Sequence, residues 1–575
     1  MPCSPRALSV NPKIIAYPRT ENDVALAIKY ATSDECAEAR KTSAWPSGYP
    51  LKVMGRGGGH QYCGTSCDND ALILSMDHFN KLEKKEVNLE GVTGPDGNPH
   101  TVTKEFHVGT GIILKKLATL FNKDGDKNGI GAKGSNEFLG VTVPHGECPT
   151  VGIGGHAQTG GAGHIARNFG FCIDYVYGFT IVTADGSIRE VNRDSPAQED
   201  KDLYWAVLGG SPGAFGVTTN LVFHPILDED YPHSTGWDAQ IPYTPERMEA
   251  CLVILQEAIN RAQASDDNAL AEGLDMMMTC SIKSTNRLGT DPDSIDDSSP
   301  MTGAGIDEGN DARLNPEKDG LYSLIAEPSM IIVELECKDM TNTKAYDQMN
   351  EIIQKFKETV YDPSSRNPFK RRPIDTLASV GVGLDGKSHY KLSEMSLYFT
   401  RKPPGVTSTG RENRRAYNKA GYGSKDKLAP GWSKAFANLL DDVVQGPSDV
   451  HCLFQSLPGG GAMTRNGEAN LNAMSHRDAH CHLIVFDLFR GDDDASIKDA
   501  ANYQRRFEME VVNKYQTAHP KVMAQWASHG DLDMDKQQVW EKYIDNDKYD
   551  KLRRIKKVVD KEDVFHARFT IRPEP

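Results

Sequence analysis

Apolar and polar residues alternate in short blocks along the first part of the chain, and the blocks predict an α+β unit. The apolar runs IIAY and LKVM flank a stretch with helical spacing, which opens on Thr20 and Asp23 in capping-box positions. ALILSM reads as a further strand and ILKKLATLFNK as a helix. Two apolar runs around Asp185-Gly186 predict a hairpin. About 225 residues share this texture of short strands and glycine-rich turns.

The middle of the chain has a different pattern. A helical segment over 245–264 alternates with candidate strands at 276–283, 329–337 and 480–489, which fits an antiparallel sheet flanked by helices. Residues 284–320 are rich in Asp, Gly, Ser and Pro and predict a long surface insertion. Charged amphipathic helices then return near the C-terminus. The 575 residues are too many for one simple core and therefore predict a two-lobed molecule.

Charge and composition narrow the class of partner. The formal net charge of −15 disfavours nucleic acid, and no apolar run is long enough to predict a transmembrane helix. The N-terminal residues lack an apolar signal core, which predicts an intracellular or already processed chain. Eleven cysteines in this length do not predict a disulfide framework, although Cys63 and Cys67 are close enough to bridge. A small-molecule partner fits these properties.

Two glycine clusters carry the candidate chemistry. In KVMGRGGGHQYCGTS a strand runs into Gly57, Gly58 and Gly59 and meets His60 at once. In the second cluster, six of the twelve residues over 152–163 are glycine. Backbone this bare lets a flat or anionic ligand lie against peptide N–H groups. A tight turn explains one Gly-Gly pair but not two such clusters.

A dinucleotide-binding motif is the competing interpretation. Residues 152–157 formally match G-x-G-x-x-G/A, with Asp174 about twenty residues later. The preceding VTVPHGECPTV carries two prolines, which suit no buried parallel strand. No apolar helical stripe follows Gly154, and a predicted hairpin comes next. The sequence therefore disfavours a Rossmann unit.

Three segments resemble a known family as a set. RGGGHQYCGTS, ECPTVGIGGHAQTGGAG and DLYWAVLGGSPGAFGVTTNLVF resemble the FAD-binding motifs of the vanillyl-alcohol-oxidase superfamily, in its berberine-bridge-enzyme-like and oligosaccharide-oxidase branch. The resemblance covers 13–224, returns in 502–575 and is weak between them. It implies a PCMH-type FAD-binding domain of small mixed sheets, formed by 1–224 and completed by 502–575. Residues 225–501 are then the substrate-binding domain.

The resemblance also implies cofactor contacts and covalent bonds to FAD. His60 matches the histidine bonded to the flavin 8α-methyl, and Cys148 matches the cysteine bonded to flavin C6 in bicovalent members; inert packing is the alternative for Cys148. Val151 matches the position whose small side chain goes with rapid reaction with oxygen. Arg56 is suited to balance pyrophosphate charge. The further implied cofactor-binding residues are Gly57, Gly58, Gly59, Gln61, Gly154, Gly155, His156, Gly160, Gly161, Phe215, Gly216 and Val217.

The catalytic base departs from the family pattern. His529 stands where the family has a tyrosine, and the run FQSLPGGGA lacks the usual carboxylate before its glycines. An imidazole suits proton removal from an alcohol, so His529 is the candidate base, with a surface histidine as the alternative. His476, His480 and His482 form another cluster, for which a half-buried polar strand face is favoured over a metal site.

Three functions follow from this set. The first is an oxidase that takes hydride from a hydroxyl-bearing carbon of a carbohydrate or related alcohol and reduces O2 to H2O2. The second is a secondary-metabolite oxidase acting on a phenolic, alkaloid or polyketide substrate. The third is a catalytically weak flavin-binding protein. In each case we expect a small molecule and O2 as partners, neither nucleic acid nor membrane, and a monomer or simple homo-oligomer.

Overall fold

The computed structural model describes residues 12–41, 51–61, 65–69, 71–121, 139–283, 330–359, 374–375, 392–401, 415–422, 428–477, 482–491, 493–515, 524–525, 543–566 and 570–574. The predicted insertion at 284–320 lies outside these residues. No helix among the described segments has the length and apolar character needed to cross a membrane.

The described residues form the following strands and helices, given in chain order. The strands are β1 (Ile14–Ala16), β2 (Lys52–Arg56), β3 (Ala71–Ser75), β4 (Leu82–Thr93), β5 (Pro99–Gly109), β6 (Val141–Thr142), β7 (Val176–Val182), β8 (Ile188–Asn192), β9 (Val217–Phe223), β10 (Ile226–Leu227), β11 (Thr235–Pro242), β12 (Leu274–Lys283), β13 (Met330–Cys337), β14 (Ile374–Asp375), β15 (Arg415–Tyr422), β16 (Val450–Pro458), β17 (His482–Arg490) and β18 (Ala524–Gln525). The helices are α1 (Glu21–Ala31), α2 (Asp34–Lys41), α3 (Leu114–Phe121), α4 (Ile153–Gln158), α5 (Ala166–Phe169), α6 (Gln198–Val207), α7 (Pro245–Ala262), α8 (Thr343–Thr359), α9 (Leu392–Arg401), α10 (Trp432–Gln445), α11 (Ala462–Glu468), α12 (Asp494–Arg506) and α13 (Asn546–Val559).

The first lobe contains two small sheets and the short antiparallel pair β10-β6. A three-stranded sheet has the order β1-β3-β2 with parallel pairs, and a five-stranded antiparallel sheet has the order β4-β5-β9-β7-β8. Local sequence signals fix several of these elements. The Thr20 side chain accepts a hydrogen bond from the Asp23 backbone N–H, and the Asp23 carboxylate accepts one from the Thr20 N–H. β7 and β8 pair across Asp185-Gly186, where Gly186 has a φ of +77°. The capping box and the hairpin are confirmed.

The second lobe is one antiparallel sheet covered by helices. Its eight strands have the order β14-β11-β13-β12-β16-β17-β15-β18, and every neighbouring pair is antiparallel. Residues from α7, α8, α10 and α12 share one buried core with alternate residues of the strands. The period of two then leaves alternate residues of β12, β13, β16 and β17, such as Met277, Ile332 and Val485, facing the first lobe. The predicted two-lobed α+β fold is confirmed.

The predicted boundary between residues 501 and 502 lies within α12 (Asp494–Arg506). Tyr503, Phe507 and Val511 are buried in the core of the sheet lobe, because α12 and the turn after it pack on that sheet. β18 then pairs with β15 as an outer strand. The chain joins the core of the first lobe again in α13, through Leu552 and Ile555. The described residues 494–512 and 524–525 therefore pack with the sheet lobe.

Buried polar contacts hold the lobes together. Arg477 places two guanidinium nitrogens 2.8 Å from the two carboxylate oxygens of Asp174, and both residues are buried. Arg167 of the first lobe donates to backbone carbonyls at the start of the sheet lobe, including that of Leu274 at 2.9 Å. Asp174 is thus part of an ion pair between lobes, which agrees with rejecting it as a ribose ligand.

Candidate active site

A cleft lies between the two lobes. Its interior volume is about 290 Å³, close to the lower end of the ~300–1,000 Å³ of ordinary small-molecule pockets. Of the predicted residues, the cleft is lined by Gly57, Gly58, Gly59, His60, Gln61, Cys148, Val151, Gly154, Gly155, His156, Gly216 and Val217. The sheet lobe contributes Met277, Thr279, Ile332, Leu453, Gln455, Leu457, Leu483, Val485 and Asp487. The structure brings together both predicted glycine clusters.

The two glycine clusters contact each other backbone to backbone. A Cβ atom on Gly58 would lie 2.4 Å from the backbone nitrogen of Gly152, and one on Gly152 would lie 2.4 Å from the backbone nitrogen of Gly58. Real Cβ atoms do not approach other atoms so closely. Neither position therefore accommodates a side chain without movement of the main chain, and the close approach explains why the sequence has glycine at both.

The second cluster contains a helix that the sequence pattern did not predict. α4 carries Gly154, Gly155 and His156 along the cleft, while Ile153 and Ala157, four residues apart, are buried beneath it. Two apolar residues in a six-residue helix are too short a stripe for periodicity to reveal. The sequence shows no apolar helical stripe after Gly154, yet a six-residue helix forms there, far shorter than that of a dinucleotide-binding unit.

Four of the predicted cofactor residues are not among those that line the cleft. The carbonyls of Gly160 and Gly161 accept backbone hydrogen bonds from Ile173 and Cys172. These two glycines form a turn behind α4. Phe215 is buried in the core of the first lobe. Arg56 is buried too, and its guanidinium packs against Gly59. A Cβ atom added to Gly59 would lie 2.4 Å from Arg56 Nη2.

Thr150 joins the two residues that the resemblance assigns to covalent bonds. Its hydroxyl oxygen lies 2.9 Å from His60 Nε2 and 3.8 Å from Cys148 Sγ. Burial, with a smaller contribution from the charge of Arg56, lowers the pKa of His60 to about 4. The imidazole is therefore neutral near pH 7, and a neutral imidazole is the nucleophilic form. Sequence reasoning passed over Thr150 because a lone threonine carries no motif.

The described residues fit a bound FAD. Glycine backbone forms the first-lobe wall, which a flat ligand can approach closely. The Thr218 hydroxyl lines the same wall, is buried, and has no hydrogen-bond partner among the described residues. Such a group costs free energy unless something binds it, so a polar ligand atom is suited to this place.

The wall from the sheet lobe supplies a carboxylate that the sequence analysis missed. Asp487 is fully buried and lines the cleft on β17, sharing a face with Leu483 and Val485. It pairs in register with Leu453, two residues before Gln455, whose amide donates to the Thr279 hydroxyl at 3.2 Å. A charged residue inside the apolar run LIVFDLF was the available signal, because a buried carboxylate is costly without a role.

The remaining histidine predictions have different outcomes. His529 and His480 lie outside the described residues, as does the side chain of His482. His476 Nδ1 lies 3.0 Å from an Asp545 carboxylate oxygen, at the start of α13. No group of three potential metal ligands occurs within the described part of the chain.

Comparison with known proteins agrees with this site. Residues 12–192 match the family described as FAD binding domain. A relative, berberine bridge enzyme-like 12 of Arabidopsis thaliana, is 33% identical over 208 residues, which are 36% of this chain and 30% of the relative. The matched region spans about a third of the length of the curated relatives.

Solved structures match over the whole chain. Chitooligosaccharide oxidase superposes with a TM-score of 0.63 at 17% identity, covering 100% of this chain and 95% of the other. Glucooligosaccharide oxidase from Acremonium strictum, in a structure described as holding 6-S-cysteinyl, 8α-N1-histidyl FAD, gives 0.61 at 16% identity, covering 100% and 94%. At these identities the likeness concerns the fold.

The fold and site define a two-lobed flavoprotein. Residues 12–192 match the FAD binding domain family, and this match supports FAD as the cofactor of the domain. The predicted resemblance to the berberine-bridge-enzyme-like and oligosaccharide-oxidase branch is confirmed.

Proposed function

We propose that this protein is an FAD-dependent oxidase that removes hydride from a hydroxyl-bearing carbon and reduces O2 to H2O2. One observation carries the proposal. His60, which burial keeps neutral, and Cys148 both contact the Thr150 hydroxyl beside the glycine-rich wall of the cleft. The sheet lobe lines the same cleft with side chains that include a carboxylate. The first lobe, completed by the region around α13, binds FAD, and the sheet lobe binds the substrate.

FAD is held by two covalent bonds, to His60 and to Cys148. When bound, FAD accepts the hydride and passes two electrons to O2. The glycines at 57–59 and 152–155 let the cofactor lie against main-chain N–H groups. Arg56 is a positive charge buried behind this segment, and it favours the pyrophosphate.

A base must take the hydroxyl proton as the hydride leaves. Within the described residues, the cleft is lined by two carboxylates, Glu147 on the first lobe and Asp487 on the sheet. Asp487 is on the wall that faces the cofactor, so its carboxylate takes the proton. His529, the base that the resemblance suggests, is the competing candidate.

Val151 sets access for oxygen. It lines the cleft three residues after Cys148, and its carbonyl accepts from the Leu114 N–H, which fixes the loop in place. A small side chain leaves room for O2 beside the cofactor.

The substrate side of the cleft favours a second candidate function. Six of the nine sheet residues that line it are apolar: Met277, Ile332, Leu453, Leu457, Leu483 and Val485. An oligosaccharide offers many hydroxyls that such a wall cannot bind. The wall supports a less polar alcohol, of the kind found among phenolic or polyketide metabolites, beside the carbohydrate alternative.

Peroxide release tests these functions together. The purified protein is assayed for H2O2 with cello-, chito- and xylo-oligosaccharides and, in parallel, with aromatic and aliphatic alcohols. Turnover with sugars supports the first function, and turnover with the apolar alcohols alone supports the second. Bound flavin that no compound of either panel reduces contradicts both and points to a flavin-binding protein without turnover.

A further inference from the structure

The Thr150 side chain bridges two segments that are ninety residues apart. Its Oγ1 lies 2.9 Å from His60 Nε2 and 3.8 Å from Cys148 Sγ, the longer distance being usual for sulfur. Thr150 is exposed and is not among the residues that line the cleft, whereas His60 and Cys148 both are. The hydroxyl therefore holds the two side chains from the solvent side.

A hydroxyl accepts one hydrogen bond and donates its own hydrogen at the same time. A neutral imidazole carries one hydrogen, on either Nδ1 or Nε2, and the nitrogen without it is the nucleophile. When Nε2–H donates to Thr150, the lone pair stays on Nδ1. In that arrangement the hydroxyl hydrogen of Thr150 is free to donate to the Cys148 sulfur, 3.8 Å away, where it would stabilise negative charge.

We propose that Thr150 is a positioning residue for flavin attachment, which fixes His60 as an Nδ1 nucleophile and holds Cys148 beside it. The inference rests on the proposed covalent attachment of FAD. Each attachment forms one C–N or C–S bond while the protein group and the flavin carbon each lose a hydrogen. The two electrons left on the flavin pass to dioxygen, which becomes H2O2. The Nε2 proton of His60 leaves through Thr150.

Three variants test this role. Thr150→Val removes the hydroxyl with little change of shape, and Thr150→Ser keeps it. Thr341→Val is the matched control, an exposed threonine of the sheet lobe whose hydroxyl lies 2.7 Å from an Asp339 carboxylate oxygen. Each protein is incubated with FAD and denatured in acid at timed intervals, and the covalently retained flavin is measured. NMR spectra of the His60 flavopeptide identify the bonded nitrogen.

We expect Thr150→Val to slow attachment about tenfold, the effect of one hydrogen bond, and to give a mixture of Nδ1 and Nε2 bonds. Thr150→Ser and Thr341→Val are expected to match the wild type, with Nδ1 bonds only. Attachment by Thr150→Val at the wild-type rate and through Nδ1 alone overturns this inference and leaves the proposed oxidase intact. A wild-type protein that releases all its flavin in acid overturns the covalent attachment and this inference together.

Discussion

The two walls of the cleft are built in opposite ways. The first-lobe wall is main chain from two short glycine-rich segments, 57–60 and 152–155, that contact each other directly. The opposite wall consists of side chains on β12, β13, β16 and β17, which span more than two hundred residues of sequence. The first-lobe wall, proposed to bind the cofactor, can therefore be predicted from a linear motif. The opposite wall, proposed to bind the substrate, is assembled only when the sheet forms.

The two walls also differ in the amino-acid substitutions that they tolerate. A side chain added to the backbone wall displaces main chain, because atoms already fill the space. A side chain exchanged on the sheet wall changes the contents of the cleft while the opposite face of the same strand still fills the helical core. Substrate choice can therefore vary on a constant cofactor site.

The largest expected effect concerns the covalent bonds of the cofactor wall. His60→Ala and Cys148→Ala should each leave one bond to the flavin, so that acid denaturation still retains it. The double variant should release all of the flavin, since no bond remains. Flavin content of the acid precipitate measures this. Complete release from the wild type would mean that this wall binds FAD only non-covalently.

The next effect probes the sheet wall. Asp487→Asn removes the proposed base at nearly constant volume and should slow flavin reduction by about 10²–10⁴-fold. The covalent flavin and its reoxidation should stay unchanged. Stopped-flow absorbance gives both rates.

His529→Ala and Glu147→Gln are the comparison variants for that experiment. Both should reduce their flavin much faster than Asp487→Asn does. Wild-type reduction by Asp487→Asn, together with slow reduction by His529→Ala, would assign the base to His529 instead.

Gly58→Ala and Gly155→Ala form a pair that tests how closely the backbone wall is packed. A Cβ on Gly58 meets main chain at 2.4 Å, so this change should cost roughly 1–3 kcal/mol of unfolding free energy, typical of overpacking. A Cβ on Gly155 meets nothing within 4 Å, and the stability of the flavin-free protein should hold. Denaturant unfolding of both flavin-free proteins measures the difference. Equal midpoints would show that the contact at Gly58 relaxes without cost.

Val151→Leu should have a smaller effect on turnover. The longer side chain narrows the approach of O2 to the cofactor, so reoxidation of reduced flavin should slow more than reduction by substrate does. Anaerobic reduction followed by mixing with aerated buffer separates the two steps. Equal reoxidation rates in both proteins would remove Val151 as a gate for oxygen.

The smallest expected effect concerns how the rate of flavin attachment to His60 depends on pH. With its pKa lowered to about 4, His60 keeps its nucleophilic form above that pH and is protonated below it. Flavin attachment should therefore proceed at a constant rate from pH 8 to about 5 and decline near pH 4. A decline centred near the reference value of ~6.5 would show that His60 is hydrated rather than buried.

The parts that could be predicted from sequence are those fixed by neighbours in the chain. Thr20 and Asp23 form their capping box, and the Asp185-Gly186 turn closes its hairpin, because both depend on residues within one turn. α4 escaped prediction because its buried stripe is only Ile153 and Ala157.

Other features depend on contacts between distant segments. The helix at 494–506 is amphipathic in any context, and only its packing through Tyr503 shows that it serves the sheet lobe. Asp487 is visible in the sequence as a charged residue inside an apolar strand. Its neighbours across the sheet come from β16, which lies about thirty residues earlier in the chain. The sequence pattern alone could not say which face of β17 borders the cleft.

The bidentate pair of Arg477 with Asp174 has a consequence for recognition. Moving the lobes apart would break this pair of charge-assisted hydrogen bonds, and the pair therefore opposes the motion. A hinge that closes around a substrate is therefore opposed by its own anchor. We therefore expect the proposed oxidase to select its substrate by the fixed width of the cleft and not by closing around it. Molecules too broad for the gap between α4 and β17 are then rejected, whatever hydroxyls they carry.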